Sequence, residues 1–182
     1  GRVAEALTNV TPIQLAAGVS CNPGTEAREG ALKLARAATQ RPRVFSLGGA
    51  CHGLSLGSLS LMGCESFTEG FGPLMQGFDG RIALDDVATL EQELAKRDVA
   101  AFVIEPVQGK GVNYPHGDFF VRAQELCRKY GTHLICDEIQ TGPVRTGKLI
   151  GLQPWNLDPD IRPPPNTPNR GYVPCRRPSR RP

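Results

Sequence analysis

Two apolar runs, Val99–Ile104 and Leu134-Ile135-Cys136, constrain this chain most, because each lacks a polar side and ends on a carboxylate, Glu105 or Asp137. A strand that is apolar at every position must be covered on both faces. Between the two runs, Phe119, Phe120, Ala123, Leu126 and Cys127 recur at helical spacing. Val87, Leu90 and Leu94 form a shorter stripe that Asp85 or Asp86 can cap. Ala27, Ala31, Leu34, Ala35 and Ala38 mark a helix over 25–39, and Arg43–Leu47 reads as a short strand leading into Gly48-Gly49. Strands alternating with helices predict an α/β fold: a mostly parallel sheet flanked by helices, with strands near 17–21, 43–47, 99–104 and 133–137.

In such sheets ligands bind beyond the carboxyl ends of the strands. The segments at those ends are Asn22-Pro23-Gly24-Thr25, residues 48–53, Glu105-Pro106-Val107-Gln108-Gly109 and Asp137-Glu138-Ile139-Gln140-Thr141-Gly142, all polar or Gly-rich. Gly24-Thr25 can open a helix and present backbone N–H groups to a phosphate, although the same residues also make a common turn and cap. Asp137 follows a strand of Leu and Ile, so its carboxylate must be paired or neutralised. The ring nitrogen of a bound heterocycle would pair it, with Gln140 in reach of a neighbouring ring oxygen; capping the next loop is the alternative. His52, on a Gly-rich turn, suits stacking over a flat ligand or proton transfer, or is a surface side chain. Glu105 either faces a substrate or pairs with a nearby Arg.

The chain, at 182 residues, suffices for one domain, or for one domain and a tail. Six of its 21 basic residues and seven of its 16 Pro lie in 162–182, which has no acid; residues 1–161 therefore carry 15 bases against 18 acids. We read 1–161 as the folded body and 162–182 as a basic, Pro/Arg-rich tail, disordered or extended. No apolar window is long enough to span a membrane, and Gly1-Arg2 opens no signal-peptide core, so no membrane partner is expected; a start at Gly1 leaves room for an upstream N-terminus. Six Cys without a C-x-x-C pair predict reduced, buried thiols in a cytoplasmic protein. Cys127, His133 and Cys136 match no standard zinc spacing, so no metal is expected.

The order and spacing of four segments resemble the class III pyridoxal-phosphate-dependent aminotransferases, the family of acetylornithine and ornithine aminotransferases. Asn22-Pro23-Gly24-Thr25-Glu26-Ala27 with Ala31-Leu32-Lys33-Leu34-Ala35-Arg36 looks like the phosphate-binding turn and helix, and His52-Gly53 with Leu56-Gly57-Ser58-Leu59-Ser60-Leu61 like the ring-stacking turn. The segments at Glu105 and Asp137, with Arg145-Thr146-Gly147, follow at the family's separations, so that the likeness covers roughly 15–161. The resemblance implies part of the large domain of the fold type I transferases, with 1–161 binding pyridoxal phosphate. It implies amino transfer from an amino donor to a 2-oxo acid, and a homodimer in intact relatives. By the same resemblance Gly24 and Thr25 would hold the cofactor phosphate, Cys51 and His52 would flank the ring, and Asp137 would pair with the pyridine nitrogen. Gln140 would lie near the phenolic oxygen and Glu105 at the substrate entrance.

Several positions depart from the pattern. Cys51 replaces a stacking aromatic, Pro23 a small residue, Arg28 an Asn or Val, and Pro143-Val144 a Phe-Gly or Leu-Gly. The register of the Schiff-base lysine falls on Asn166, and none of the five Lys (33, 96, 110, 129, 148) stands there. Residues 162–170 have no family character, whereas Gly171-Tyr172-Val173-Pro174 returns at the family's spacing, a pattern that a local reading-frame disruption would leave. No catalytic lysine is therefore expected, and the chain reads as an impaired aminotransferase domain that lacks the small C-terminal domain. Two other roles stay open: a non-catalytic remnant that dimerises with a full-length relative, and a protein whose Arg tail binds nucleic acid. The body adds no basic footprint for the latter.

Overall fold

A computed structural model describes residues 17–20, 24–78, 80–142, 144–163 and 172–175. The named elements are β1 (Ala17–Ser20), α1 (Gly24–Thr39), β2 (Arg43–Leu47), α2 (Leu56–Leu59), β3 (Gly80–Ile82), α3 (Val87–Ala95), β4 (Val99–Ile104), α4 (Phe119–Tyr130), β5 (His133–Cys136) and β6 (Tyr172–Cys175). Four strands make one parallel sheet in the order β3-β2-β4-β5. All six residues of β4 are buried, because this strand is central and both faces are packed. Phe45, Leu47, Phe102 and Ile104 face a core built with α3 and α4, whereas Val44, Ala101, Val103 and Ile135 pack with Ala27, Ala31, Leu32 and Ala35 of α1. The period of two along each strand thus splits the apolar runs between two cores.

The predicted helix faces hold at α3 and α4. Asp86 caps α3 through an N–H···O bond from Thr89 at 3.0 Å, leaving Leu90 and Leu94 buried. Phe119, Phe120, Ala123, Leu126 and Cys127 are all buried, and α4 ends at Gly131, whose φ of 69° is the left-handed cap that costs glycine least. On α1 the stripe differs from expectation. Ala27, Arg28, Ala31, Leu32 and Ala35 are buried, and Leu34 is 38% exposed.

Other expectations are corrected. β1 was expected in the parallel sheet, yet it pairs antiparallel with β6, Ala17 opposite Cys175, in a separate two-stranded sheet. An apolar run carries no information on the direction of its partner. β3, three residues long, is too short to show a period. Ile161 bridges Ile135 in parallel, and Arg162 is buried although composition places it in the tail. Tyr172–Cys175 is strand; the rest of the expected tail beyond 163, Asn166 included, lies outside the described residues.

Candidate cofactor-binding site

The parallel strands deliver Asp137 from the end of β5, Glu105 from the end of β4 and the 48–53 turn from the end of β2 to one edge of the sheet. The N-terminus of α1 packs against that edge. A Cβ on Gly24 would lie 2.8 Å from Ile139 Cδ1, and one on Gly53 (φ 120°) would lie 2.9 Å from Thr25 Oγ1 and 3.2 Å from an Arg28 Nη atom. At 53 the backbone itself requires glycine, whereas a side chain at 24 would have to push the end of Ile139 aside. Thr25 Oγ1 is 2.6 Å from Ser55 Oγ and donates to Ser58 Oγ at 3.2 Å. Ser55 Oγ in turn donates to Glu29 Oε1 at 2.6 Å.

Asp137 is the centre of this cluster. Its Oδ2 accepts from Arg28 Nε and from His52 Nδ1–H, the latter at 2.9 Å, and its Oδ1 accepts from the Ile139 N–H at 3.1 Å. Neither carboxylate nor imidazole is accessible to solvent. Burial pushes the Asp137 carboxyl up, but the charge of Arg28 and the His52 hydrogen bond outweigh it and hold the group below its ordinary value of 3.8. Glu105 has the opposite environment. Burial pushes it above 4.5, and its acceptors are filled by the backbone N–H groups of Cys51 at 3.0 Å and Gly109 at 3.2 Å. Opposite pH dependences follow. Asp137 binds fewer protons folded than unfolded, so its stabilisation is complete above pH 3.8 and is lost as pH falls through the depressed folded value. Glu105 binds more, so its contribution declines as pH rises from 4.5 through its raised value. Urea unfolding across acid pH should show Glu105→Gln removing the loss on the upper side and leaving the acid limb unchanged; an unchanged upper side would refute this.

The structure therefore brings Gly24, Thr25, His52 and Asp137 together. His52 is fully buried, contrary to the surface alternative, and its Nε2 has no hydrogen-bond partner. Cys51 is half-buried, its thiol pushed up by burial. Gln140 is exposed and lies against Gly109, and Glu105 holds two backbone groups in place of an Arg. Cys127 and Cys136 are buried thiols as expected, but Cys64 is half-buried and is drawn down to about 7 by the Ser66 hydroxyl and Lys110. Two residues had no assigned site role. Arg28 sits one turn into α1, and its sequence signal is its replacement of an Asn or Val of the family pattern. Glu138 accepts from Thr141 Oγ1 and from the N–H groups of Gly151 and Leu152, at 2.7–2.9 Å, and so folds the loop after β5 back on itself.

The aminotransferase class-III family model matches residues 1–163. The chain belongs to the class III aminotransferases. It is 37% identical over 161 residues to aminotransferase PigE of a Serratia species, covering 88% of this chain and 19% of that protein. It is 39% identical over 142 residues to acetylornithine aminotransferase of Halalkalibacterium halodurans, covering 78% and 36%. Ornithine aminotransferase of Toxoplasma gondii, whose structure is described as having partial occupancy of PLP at the active site, superposes with a TM-score of 0.89 at 32% identity, over 97% of this chain and 44% of that one. Taurine:2-oxoglutarate aminotransferase of Bifidobacterium kashiwanohense, in complex with PLP and glutamate, gives 0.81 at 27%, over 96% and 46%. The chain thus spans less than half of each relative and is a partial form of their fold.

Membership in the family implies pyridoxal phosphate as cofactor. At the Gly24-Thr25 end, a helix N-terminus and the Thr25 and Ser58 hydroxyls suit a phosphate, whereas Ser55 is taken up by the Glu29 carboxylate. The Asp137 end does not fit a pyridine nitrogen, because Arg28 already supplies the cation that the carboxylate needs.

Proposed function

We propose that the protein to which this chain corresponds transfers an amino group from an amino donor to a 2-oxo acid, and that the crevice between α1 and the ends of β2, β4 and β5 is its cofactor region. In this reading Gly24 and Thr25 face the phosphate, Cys51, His52, Asp137 and Gln140 line the ring side, and Glu105 lies towards the substrate. The supporting observation is convergence: Thr25 and Asp137, more than a hundred positions apart, are linked through Arg28 and Gly53 at one sheet edge.

The chain itself is read as catalytically impaired. Amino transfer in this family needs an amine on the protein, and Asn166 stands at its register. Lys96, Lys110 and Lys129 are bonded to Glu93, Cys64 and Glu91, and Lys33 and Lys148 are exposed. Incubation with pyridoxal phosphate, borohydride reduction and peptide mapping should give no stoichiometric label at a single lysine and no amino transfer. One fully labelled lysine with turnover would overturn this reading. The free thiols of Cys51, Cys64, Cys127 and Cys136 support a cytoplasmic setting, and among the described residues no helix is long and apolar enough to cross a membrane. A second reading, association with another copy or with a full-length relative, is favoured by Leu54, Leu56 and Val112, which are 67%, 65% and 69% exposed.

A further inference from the structure

We propose that Arg28 is a specificity residue that closes Asp137 to the ring nitrogen of a ligand, so that the crevice holds a phosphate monoester by its phosphate end without reading the ring. The inference rests on the cofactor-region reading above and reverses one part of it, the role of Asp137.

The geometry is that of a filled site. Arg28 and His52 share Asp137 Oδ2, and the Ile139 N–H takes Oδ1. The Arg28 side chain is 9% exposed and Asp137 0%, so neither group exchanges its partner for water. Arg28 is also held from behind. It projects from the start of the second turn of a 16-residue helix, and one of its Nη atoms lies beside Gly53, so the guanidinium is wedged between the Gly53 turn and Asp137. A nearby pyridine nitrogen meets an obstacle in either protonation state. Protonated, it brings a second cation against a guanidinium that keeps its charge in proteins. Neutral, it has no hydrogen to donate, and its lone pair faces a carboxylate that only accepts. The phosphate end escapes both objections, because the Thr25 and Ser58 hydroxyls can rotate to donate, while Ser55 and the Ser58 N–H are held by the Glu29 carboxylate.

The test compares two ligands by calorimetry on the full chain: pyridoxine 5'-phosphate, which has no aldehyde to react with lysines, and benzyl phosphate, which has no ring nitrogen. In the wild-type chain the two affinities should agree within about threefold. Arg28→Asn shortens and neutralises the side chain, and should raise affinity for pyridoxine phosphate at least tenfold while benzyl phosphate changes little. Adding Asp137→Asn to that variant should remove the gain. A tenfold wild-type preference for pyridoxine phosphate, or no gain in a folded Arg28→Asn chain, overturns the proposal and leaves the cofactor-region reading standing. Binding of neither ligand to either chain overturns that reading and the proposal with it. Where circular dichroism shows Arg28→Asn unfolded, the wild-type comparison decides alone.

Discussion

Replacing Asp137 by Ala should cost the fold about 3–5 kcal/mol, the range for removing one partner of a buried ion pair. Removal of the carboxylate leaves a guanidinium that is 9% exposed without its counter-ion, and deprives the His52 Nδ1–H and the Ile139 N–H of their acceptor. Leaving the charge behind is what makes the change expensive, so Arg28→Met combined with Asp137→Ala should cost less than Asp137→Ala alone. Urea unfolding would show this as a lower midpoint at an unchanged slope. If Asp137→Ala shifts stability by less than about 1 kcal/mol, the Arg28–Asp137–His52 cluster is not the fixed unit described above.

Phe120→Ala should be comparably severe. Phe120 is fully buried on α4, its ring centroid 5.2 Å from Trp155 in an edge-on arrangement and 5.7 Å from Phe119. Truncation at such a site loses the transfer energy of the ring and leaves a cavity, together about 3–5 kcal/mol. The buried cluster to which it belongs draws on different elements, Leu90 and Leu94 from α3, Phe102 from β4 and Leu152 from the loop after β5, so a void in it is not filled by the shift of one element. For a chain of this size the loss corresponds to a fall in Tm of roughly 6–20 °C. A fall of under about 2 °C would mean that Trp155 and its loop do not seal this core in solution.

The sequence by itself determined the layers. The apolar runs at Val99–Ile104 and Leu134-Ile135-Cys136 are too short for buried helices and end at polar turns, and the 3.6-residue period of 119–127 presents one face, so the two-sided parallel sheet and the α3 and α4 faces were legible. It also marked the strand ends where Asp137, Glu105 and the 48–53 turn stand. These features are local, each written within one turn or a few strand residues. Tertiary structure decided what no local period can encode. β1 took an antiparallel partner from residues 172–175, Ile161 joined the edge of β5, and α1 turned Arg28 and Leu32 inward in place of Leu34. The Arg28–Asp137 pair joins positions 109 apart. An arginine reads as a surface residue until a buried carboxylate is brought to it, and only the topology of the parallel sheet sets where that carboxylate arrives.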